Sequence, residues 1–100
     1  FYAMFCVLGS TRLDVNQKAK TAMGAKRVSF ASREEAEEVT NQTYGGISPL
    51  GLPDNIKIFI DENVMSREKL FIGAGNRVSK FFLSPESLVD LTDAEVLDLT

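Results

Sequence analysis

Histidine and tryptophan are absent from this chain of 100 residues, and cysteine occurs only once, at Cys6. Without histidine the chain cannot form Ser-His or Cys-His nucleophile pairs, use a histidine general base, or build a histidine-ligated metal site. One cysteine cannot close an internal disulfide or supply a multi-thiolate zinc site, so a reducing, cytoplasmic setting is expected. Because Cys6 lies in an apolar run, its thiol is expected to be a small inert core group with a raised pKa.

Long apolar runs and strong net charge are missing as well. The longest run, residues 1–8, is too short to cross a bilayer and lacks the basic start and cleavage site of a signal peptide, so neither a membrane segment nor a targeting segment is predicted. The net charge of −3 argues against a protein that covers duplex nucleic acid. Basic residues gather at Lys18, Lys20, Lys26 and Arg27, which fits either a phosphate-contacting face or a solvated surface.

The length and the hydrophobic fraction of 44% are typical of one globular domain. The chain starts at Phe1, inside a predicted strand, so we expect residues 1–100 to form a single domain that lacks its opening segment. The pattern predicts strands at residues 1–9, 26–30, 56–60, 69–72, 79–83 and 95–99. It predicts helices at residues 15–23, 33–40 and 85–91, with a short helical turn after Asp61. A hairpin interrupts the strand–helix alternation, which favours an α+β domain with a mixed sheet.

Helix ends carry the strongest local signals. Asp14 is placed to cap the first helix, and Gly24 to end it in the left-handed conformation. Ser32 and Glu35 form a capping-box pattern, in which each side chain accepts from the backbone N–H of the other residue. Ser84 precedes a proline at the first helical position, which predicts the start of the last helix.

The loop Gly45-Gly46-Ile47-Ser48-Pro49-Leu50-Gly51 is the most informative segment. Glycines allow backbone amides to converge on a ligand, and proline fixes the turn. Amides arranged in this way can bind a developing oxyanion or orient a water molecule without a titratable side chain. A tight connection with no further role also explains the same residues. With no histidine to activate it, Ser48 is expected to hydrogen-bond a ligand rather than to attack one.

A second glycine segment, Gly73-Ala74-Gly75, follows a predicted strand. It lacks the third glycine and the helix of a dinucleotide-binding fingerprint, which excludes that reading. Either a hairpin turn or a place of close ligand approach explains it.

Taken in order along the chain, these segments resemble the YbaK/prolyl-tRNA editing domain family. The matching residues are Arg12-Leu13-Asp14, Gly24-Ala25-Lys26-Arg27-Val28, Glu35-Ala36-Glu37-Glu38, the loop from Gly45 to Gly51, Ile60-Asp61, Ile72-Gly73-Ala74-Gly75-Asn76-Arg77, Leu83-Ser84-Pro85 and Ala94-Glu95-Val96. The resemblance covers nearly the whole chain, and the glycine loop is its specific part.

The resemblance implies a mixed, partly closed β-sheet or barrel flanked by helices, which hydrolyses the ester of mischarged tRNA, tRNA(Pro) above all, without metal or other cofactor. The Gly-x-x-x-Pro motif of the family falls on Gly45, Gly46, Ile47, Ser48 and Pro49, whose backbone groups would hold the substrate carbonyl and the attacking water. Gly73, Ala74 and Gly75 fall where the family lines its aminoacyl pocket. Prolyl-tRNA synthetase is the implied protein partner.

Three points stay open at the level of sequence. The functional lysine of the family lies upstream of the position that matches Phe1, so no lysine of this chain receives its role. Val78 stands where many relatives have glycine and Lys80 where some have an acid, which leaves the amino acid removed undetermined. The alternative to an enzyme is a noncatalytic module that binds an aminoacylated or nucleotide-like end.

Overall fold

In the computed structural model, which describes residues 1–76 and 80–100, helices flank two β-sheets. The strands are β1 (Ala3–Cys6), β2 (Lys57–Asp61), β3 (Leu70–Gly73), β4 (Lys80–Leu83) and β5 (Glu95–Leu97). The helices are α1 (Lys20–Met23), α2 (Arg33–Thr40) and α3 (Pro85–Thr92), with a π-helical turn at Val15–Ala19 before α1 and a 3₁₀ helix at Glu62–Ser66 after β2. The predicted α+β class, with helices around an incompletely closed sheet, is confirmed.

The first sheet contains three parallel strands in the order β1, β2, β5. The strand β2 occupies the centre and is buried from Phe59 to Asp61. The strand β1 is only half-buried and is shorter than the predicted 1–9, because among the described residues it has a neighbour on one side only. The apolar run at residues 1–9 indicated a strand buried on both faces, and this prediction is wrong for β1, whose four residues are all half-buried.

The second sheet is the hairpin of β3 and β4, in which Phe71 lies opposite Phe82 and Gly73 opposite Lys80. The predicted antiparallel pairing is confirmed. Arg77, Val78 and Ser79, which entered the sequence analysis as part of the family pattern and as the start of a strand, lie outside the described residues.

The predicted helix ends are confirmed because they depend on groups only a few residues apart. The Asp14 carboxylate accepts from the Gln17 N–H at 3.2 Å, and Gly24 adopts φ 62° at the other end of that helical segment. Ser32 and Glu35 form the full capping box, with the Ser32 hydroxyl accepting at 3.1 Å. In the same way, the Ser84 hydroxyl accepts from the Ser87 N–H at 3.1 Å.

The strand predicted at residues 26–30 is absent, which corrects the sequence analysis. This segment pairs with no strand in the described part of the chain, and Phe30 is 79% exposed. An extended segment becomes a β-strand only when a neighbour accepts and donates its backbone hydrogen bonds. The weak apolar alternation of residues 26–30 was therefore not enough to form a strand.

The core lies between the two sheets and α3, and its buried members are Ile60, Val64, Leu70 and Leu88. Asp61, fully buried at the end of β2, accepts from the backbone N–H of Leu99 at 2.8 Å and of Asn63 at 3.2 Å. Hydrogen bonds to a carboxylate are stronger than those between neutral groups. Asp61 thus joins β2 to the carboxyl-terminal segment. None of the helices in the described ranges combines the length and apolar character needed to cross a bilayer.

Candidate functional site

The glycine loop connects α2 to β2, as the density of glycine and proline predicted. The helix α2 ends where Asn41 adopts a left-handed conformation, with φ 56°. Gly45 and Gly51 then have φ values of 93° and 77°, a region that side-chain-bearing residues rarely enter. These two glycines allow the chain to reverse direction while Gly46, Ser48 and Pro49 become buried.

Gln42 holds the loop in this shape, although the sequence analysis did not identify it. Its side-chain Oε1 accepts from the Ser48 N–H, while Nε2 donates to the carbonyl oxygens of Ser48 and Leu50, both at 3.2 Å. One amide side chain therefore bonds three backbone groups six to eight residues away. A single glutamine before a glycine loop carries no local pattern, so no sequence signal distinguished it.

Ser48 belongs to the same internal framework. Its side chain is 1% exposed, and its hydroxyl accepts from the Leu50 N–H at 3.1 Å. The hydroxyl thus stabilises the turn that Pro49 continues. A direct hydrogen bond from Ser48 to a ligand stays a prediction.

Two contacts from α2 fix the outer side of the loop. The Glu37 carboxylate accepts from the Tyr44 N–H at 2.8 Å. The Arg33 guanidinium lies 5.6 Å from the centre of the Tyr44 ring, within the range of a cation–π contact. The loop is therefore held from its helix as well as from Gln42.

The two glycine segments singled out in the sequence lie against each other. The Gly75 N–H donates to the Gly46 carbonyl at 2.8 Å, and the Gly75 carbonyl accepts from the Thr43 N–H at 3.0 Å. A Cβ at position 73 would lie 2.6 Å from the Gly46 oxygen and 3.0 Å from the Ile47 oxygen. Only glycine allows this approach, so residue 73 is the place where the β3–β4 hairpin supports the loop.

Among the described residues, three amides of the loop have no hydrogen-bond acceptor: those of Gly45, Ile47 and Gly51. The N–H groups of Gly46 and Ser48, in contrast, donate to protein atoms. Backbone donors in a fixed loop can stabilise a developing negative charge without moving during the reaction. An oxyanion site formed by the backbone amides of this loop stays a prediction.

Cavities adjoin the loop on two sides. One, of about 600 Å³, is lined by β1, residues 27–31 and α2, and reaches the loop at Ile47. The other, of about 530 Å³, is bordered by Pro49 and Gly51 and by the end of α3. Both lie in the size range of small-molecule sites. Gly73, Ala74 and Gly75 line neither of these two cavities, so their predicted place in an aminoacyl pocket stays a prediction.

The described residues provide no set of side chains that could ligate a metal ion. Across residues 1–76 and 80–100, no three His, Cys, Asp or Glu side chains are grouped so that they could hold an ion. The loop itself contains no titratable side chain between Gly45 and Gly51.

The Cys6 thiol lies apart from the loop and packs against the core. Burial raises its pKa to about 11, in agreement with the inert thiol predicted from sequence. At pH 8 a thiol with this pKa is ionised in roughly one molecule in a thousand. We therefore expect iodoacetamide to alkylate the folded protein at least about 100-fold more slowly than free cysteine at pH 8.

That alkylation rate should rise about ten-fold for each pH unit up to pH 10, since the thiolate fraction does so below the pKa. Protein unfolded in urea serves as the control and should react at the rate of free cysteine. A rate that levels off below pH 9 in the folded protein would show that the pKa of the Cys6 thiol is not raised as expected.

Comparisons with known proteins find a family model, solved structures and curated relatives to which this chain is similar. A family model described as an aminoacyl-tRNA editing domain matches residues 1–91. Among solved structures, the chain is similar to one titled "Crystal structure of a putative trans-editing enzyme for prolyl tRNA synthetase". The TM-score is 0.87 and the identity 31%, over 96% of this chain and 60% of that one.

Two curated relatives carry related names. The chain is 28% identical over 92 residues to "Putative Cys-tRNA(Pro)/Cys-tRNA(Cys) deacylase EbsC" of Enterococcus faecalis, covering 92% of this chain and 56% of that protein. It is 39% identical over 57 residues to proline–tRNA ligase of Streptococcus pneumoniae, covering 57% of this chain and 9% of the ligase. The chain thus spans little more than half the length of EbsC.

Proposed function

Because the chain belongs to the aminoacyl-tRNA editing domain family, we propose that it hydrolyses the ester of mischarged aminoacyl-tRNA with a water molecule held by backbone groups. The observation that carries this proposal is the support of the Gly46–Ile47 backbone by Gly73. A loop fixed by that contact and by the three hydrogen bonds of Gln42 presents its amides in one geometry. Preorganised donors of this kind stabilise an oxyanion without a cost of rearrangement.

In the proposed reaction, the water oxygen attacks the ester carbonyl carbon while backbone groups of Gly45 to Pro49 hold the carbonyl and the water. Charge develops on the carbonyl oxygen, where the N–H groups of Gly45 and Ile47 are available to donate. The bond from the carbonyl carbon to the ribose oxygen then breaks. The ribose oxygen takes the proton that the water gives up, which leaves a free amino acid and an uncharged tRNA.

We further propose that the substrate is tRNA(Pro) carrying a wrong amino acid. The names of EbsC and of the proline–tRNA ligases support this choice. In this proposal Gly73, Ala74 and Gly75 border the pocket for the aminoacyl side chain. The size of this pocket then selects which amino acid is removed. Prolyl-tRNA synthetase is the proposed partner, since a chain of net charge −3 has little positive charge of its own to attract tRNA.

The test is release of amino acid from alanyl-tRNA(Pro) and cysteinyl-tRNA(Pro) by the full-length protein, with prolyl-tRNA(Pro) as the correctly charged control. Hydrolysis of at least one mischarged substrate is expected. Gly45→Val should abolish it, because a branched side chain is strained at φ 93° and the loop would have to change its backbone conformation. Gly24→Val, also at a left-handed position but in open space outside the loop, is the matched control and should keep the activity.

No release above the spontaneous rate across a broad panel of aminoacyl-tRNAs would contradict the enzymatic proposal. The second candidate is a noncatalytic module that binds the aminoacylated end. The absence of titratable side chains from Gly45 to Gly51 favours it, because the loop itself supplies no general acid or base. Binding of mischarged tRNA without release would support this candidate.

A further inference from the structure

The β3–β4 hairpin carries an exposed pair of aromatic rings. Phe71 is 75% exposed and Phe82 60% exposed, and their ring centres lie 4.6 Å apart with 26° between the planes. Two large apolar side chains stacked on each other and facing solvent gain little for the stability of the fold. They form a preassembled aromatic surface.

Basic side chains lie close to the two rings in the hairpin. Side chains alternate between faces along a strand, and directly opposed residues share a face. Lys80 therefore lies on the face of Phe82, two residues earlier in β4. Lys69 immediately precedes β3, two residues before Phe71. Both lysines are exposed. We call Lys69, Phe71, Lys80 and Phe82 the hairpin platform.

The hairpin platform is continuous with the glycine loop. Gly73 follows Phe71 by two residues, about 7 Å along the strand, and pairs with Lys80. The Cβ that Gly73 lacks would point at the Gly46 carbonyl. Lys80 thus lies beside the point where the loop contacts the hairpin. The rings of Phe71 and Phe82 lie two residues further along the same strands.

The charge of this region is opposite to that of the rest of the chain. Residues 69–85 contain Lys69, Arg77 and Lys80 and no acidic residue, so all 14 acidic residues lie elsewhere with the other eight basic ones. On a second candidate surface, Lys18 is already paired with Asp98 at 2.8 Å. The hairpin therefore offers the basic surface that is better suited to phosphates.

We propose that the hairpin platform binds the single-stranded 3′ end of the tRNA substrate, with bases stacked on Phe71 and Phe82 and phosphates near Lys69 and Lys80. This inference rests on the proposed function and adds a binding surface to it. Aromatic rings combined with lysines suit single-stranded nucleic acid, because every base presents a π-face and every linkage a negative charge. A second copy of the chain in the same place would bring the lysines of both copies together.

The first experiment measures binding of the full-length protein to a fluorescent single-stranded RNA with the 3′-terminal sequence of tRNA(Pro). Phe71→Ala and Phe82→Ala should each weaken binding by about 5- to 150-fold. Leu91→Ala, which removes another exposed apolar side chain, is the matched control and should not. The double variant Lys69→Ala/Lys80→Ala should lower the slope of log affinity against log salt by about 1.4, whereas Lys57→Ala should not change it.

The second experiment separates this inference from the proposed function. With aminoacyl-tRNA, Phe71→Ala and Phe82→Ala should raise KM and leave kcat unchanged. With aminoacyl-adenosine, which lacks the preceding nucleotides, both variants should match the parent protein. If the parent hydrolyses neither substrate, the proposed function fails. The RNA-binding measurement then still tests whether the hairpin platform binds single-stranded RNA.

Unchanged RNA affinity in both phenylalanine variants overturns the inference. Sedimentation of the same variants identifies the competing occupant. If the parent self-associates and the variants do not, while their RNA affinity is unchanged, the platform is a contact between copies and the inference is likewise overturned. Thermal unfolding should show that all variants remain folded, as expected for substitutions of exposed side chains.

Discussion

Gly73→Ala is expected to lower turnover of mischarged tRNA by about 100-fold and the free energy of unfolding by about 1–3 kcal/mol. The added methyl group would lie 2.6 Å from the Gly46 carbonyl oxygen and 2.9 Å from its carbon. Backbone atoms cannot rotate out of the way as a side chain can, so the loop or the hairpin must shift. A displacement of about 1 Å at a catalytic loop is sufficient for a loss of this size.

Gly9→Ala is the matched control, because a Cβ at that position meets no atom within 4 Å and the backbone is not left-handed. Its free energy of unfolding should change by less than about 0.5 kcal/mol. Urea denaturation and single-turnover deacylation measure the two effects. Normal turnover and stability of Gly73→Ala would show that the loop does not depend on the hairpin.

Gln42→Leu is expected to destabilise the protein by about 2–5 kcal/mol and to reduce turnover at temperatures where it stays folded. The substitution removes the acceptor of the Ser48 N–H and the donor to the carbonyls of Ser48 and Leu50. Ser48 is buried, so water does not readily replace these bonds. Each buried polar group left unpaired costs about 1–3 kcal/mol.

Gln17→Leu provides the matched control, since the Gln17 side chain is exposed on the helical turn before α1. It should change the free energy of unfolding by less than about 0.5 kcal/mol. Urea denaturation of both variants compares the two sites. If Gln42→Leu is as stable as the parent, the hydrogen bonds of Gln42 do not maintain the loop.

Features that depend on neighbouring residues were predicted from the sequence, whereas features that depend on distant contacts were not. Ser32 and Glu35 specify a capping box within four residues, and the structure contains it. Residues 26–30 show a weak apolar alternation, yet no strand forms, because pairing depends on a neighbour that the segment itself does not encode. Gln42 went unnoticed for the same reason, since its partners lie six to eight residues away in an irregular loop.

By itself, the sequence narrowed the chemistry expected of residues 1–100. The absence of histidine excludes Ser-His and Cys-His pairs within these residues, and the glycine and proline content of residues 45–51 indicated a site built from backbone groups. Only the tertiary structure decided how that loop is held: by the side chain of Gln42 and by Gly73, which comes 27 residues after Gly46. The physical reason is the range of the interactions, since turns and caps arise between near neighbours, whereas packing of two backbones depends on the whole fold.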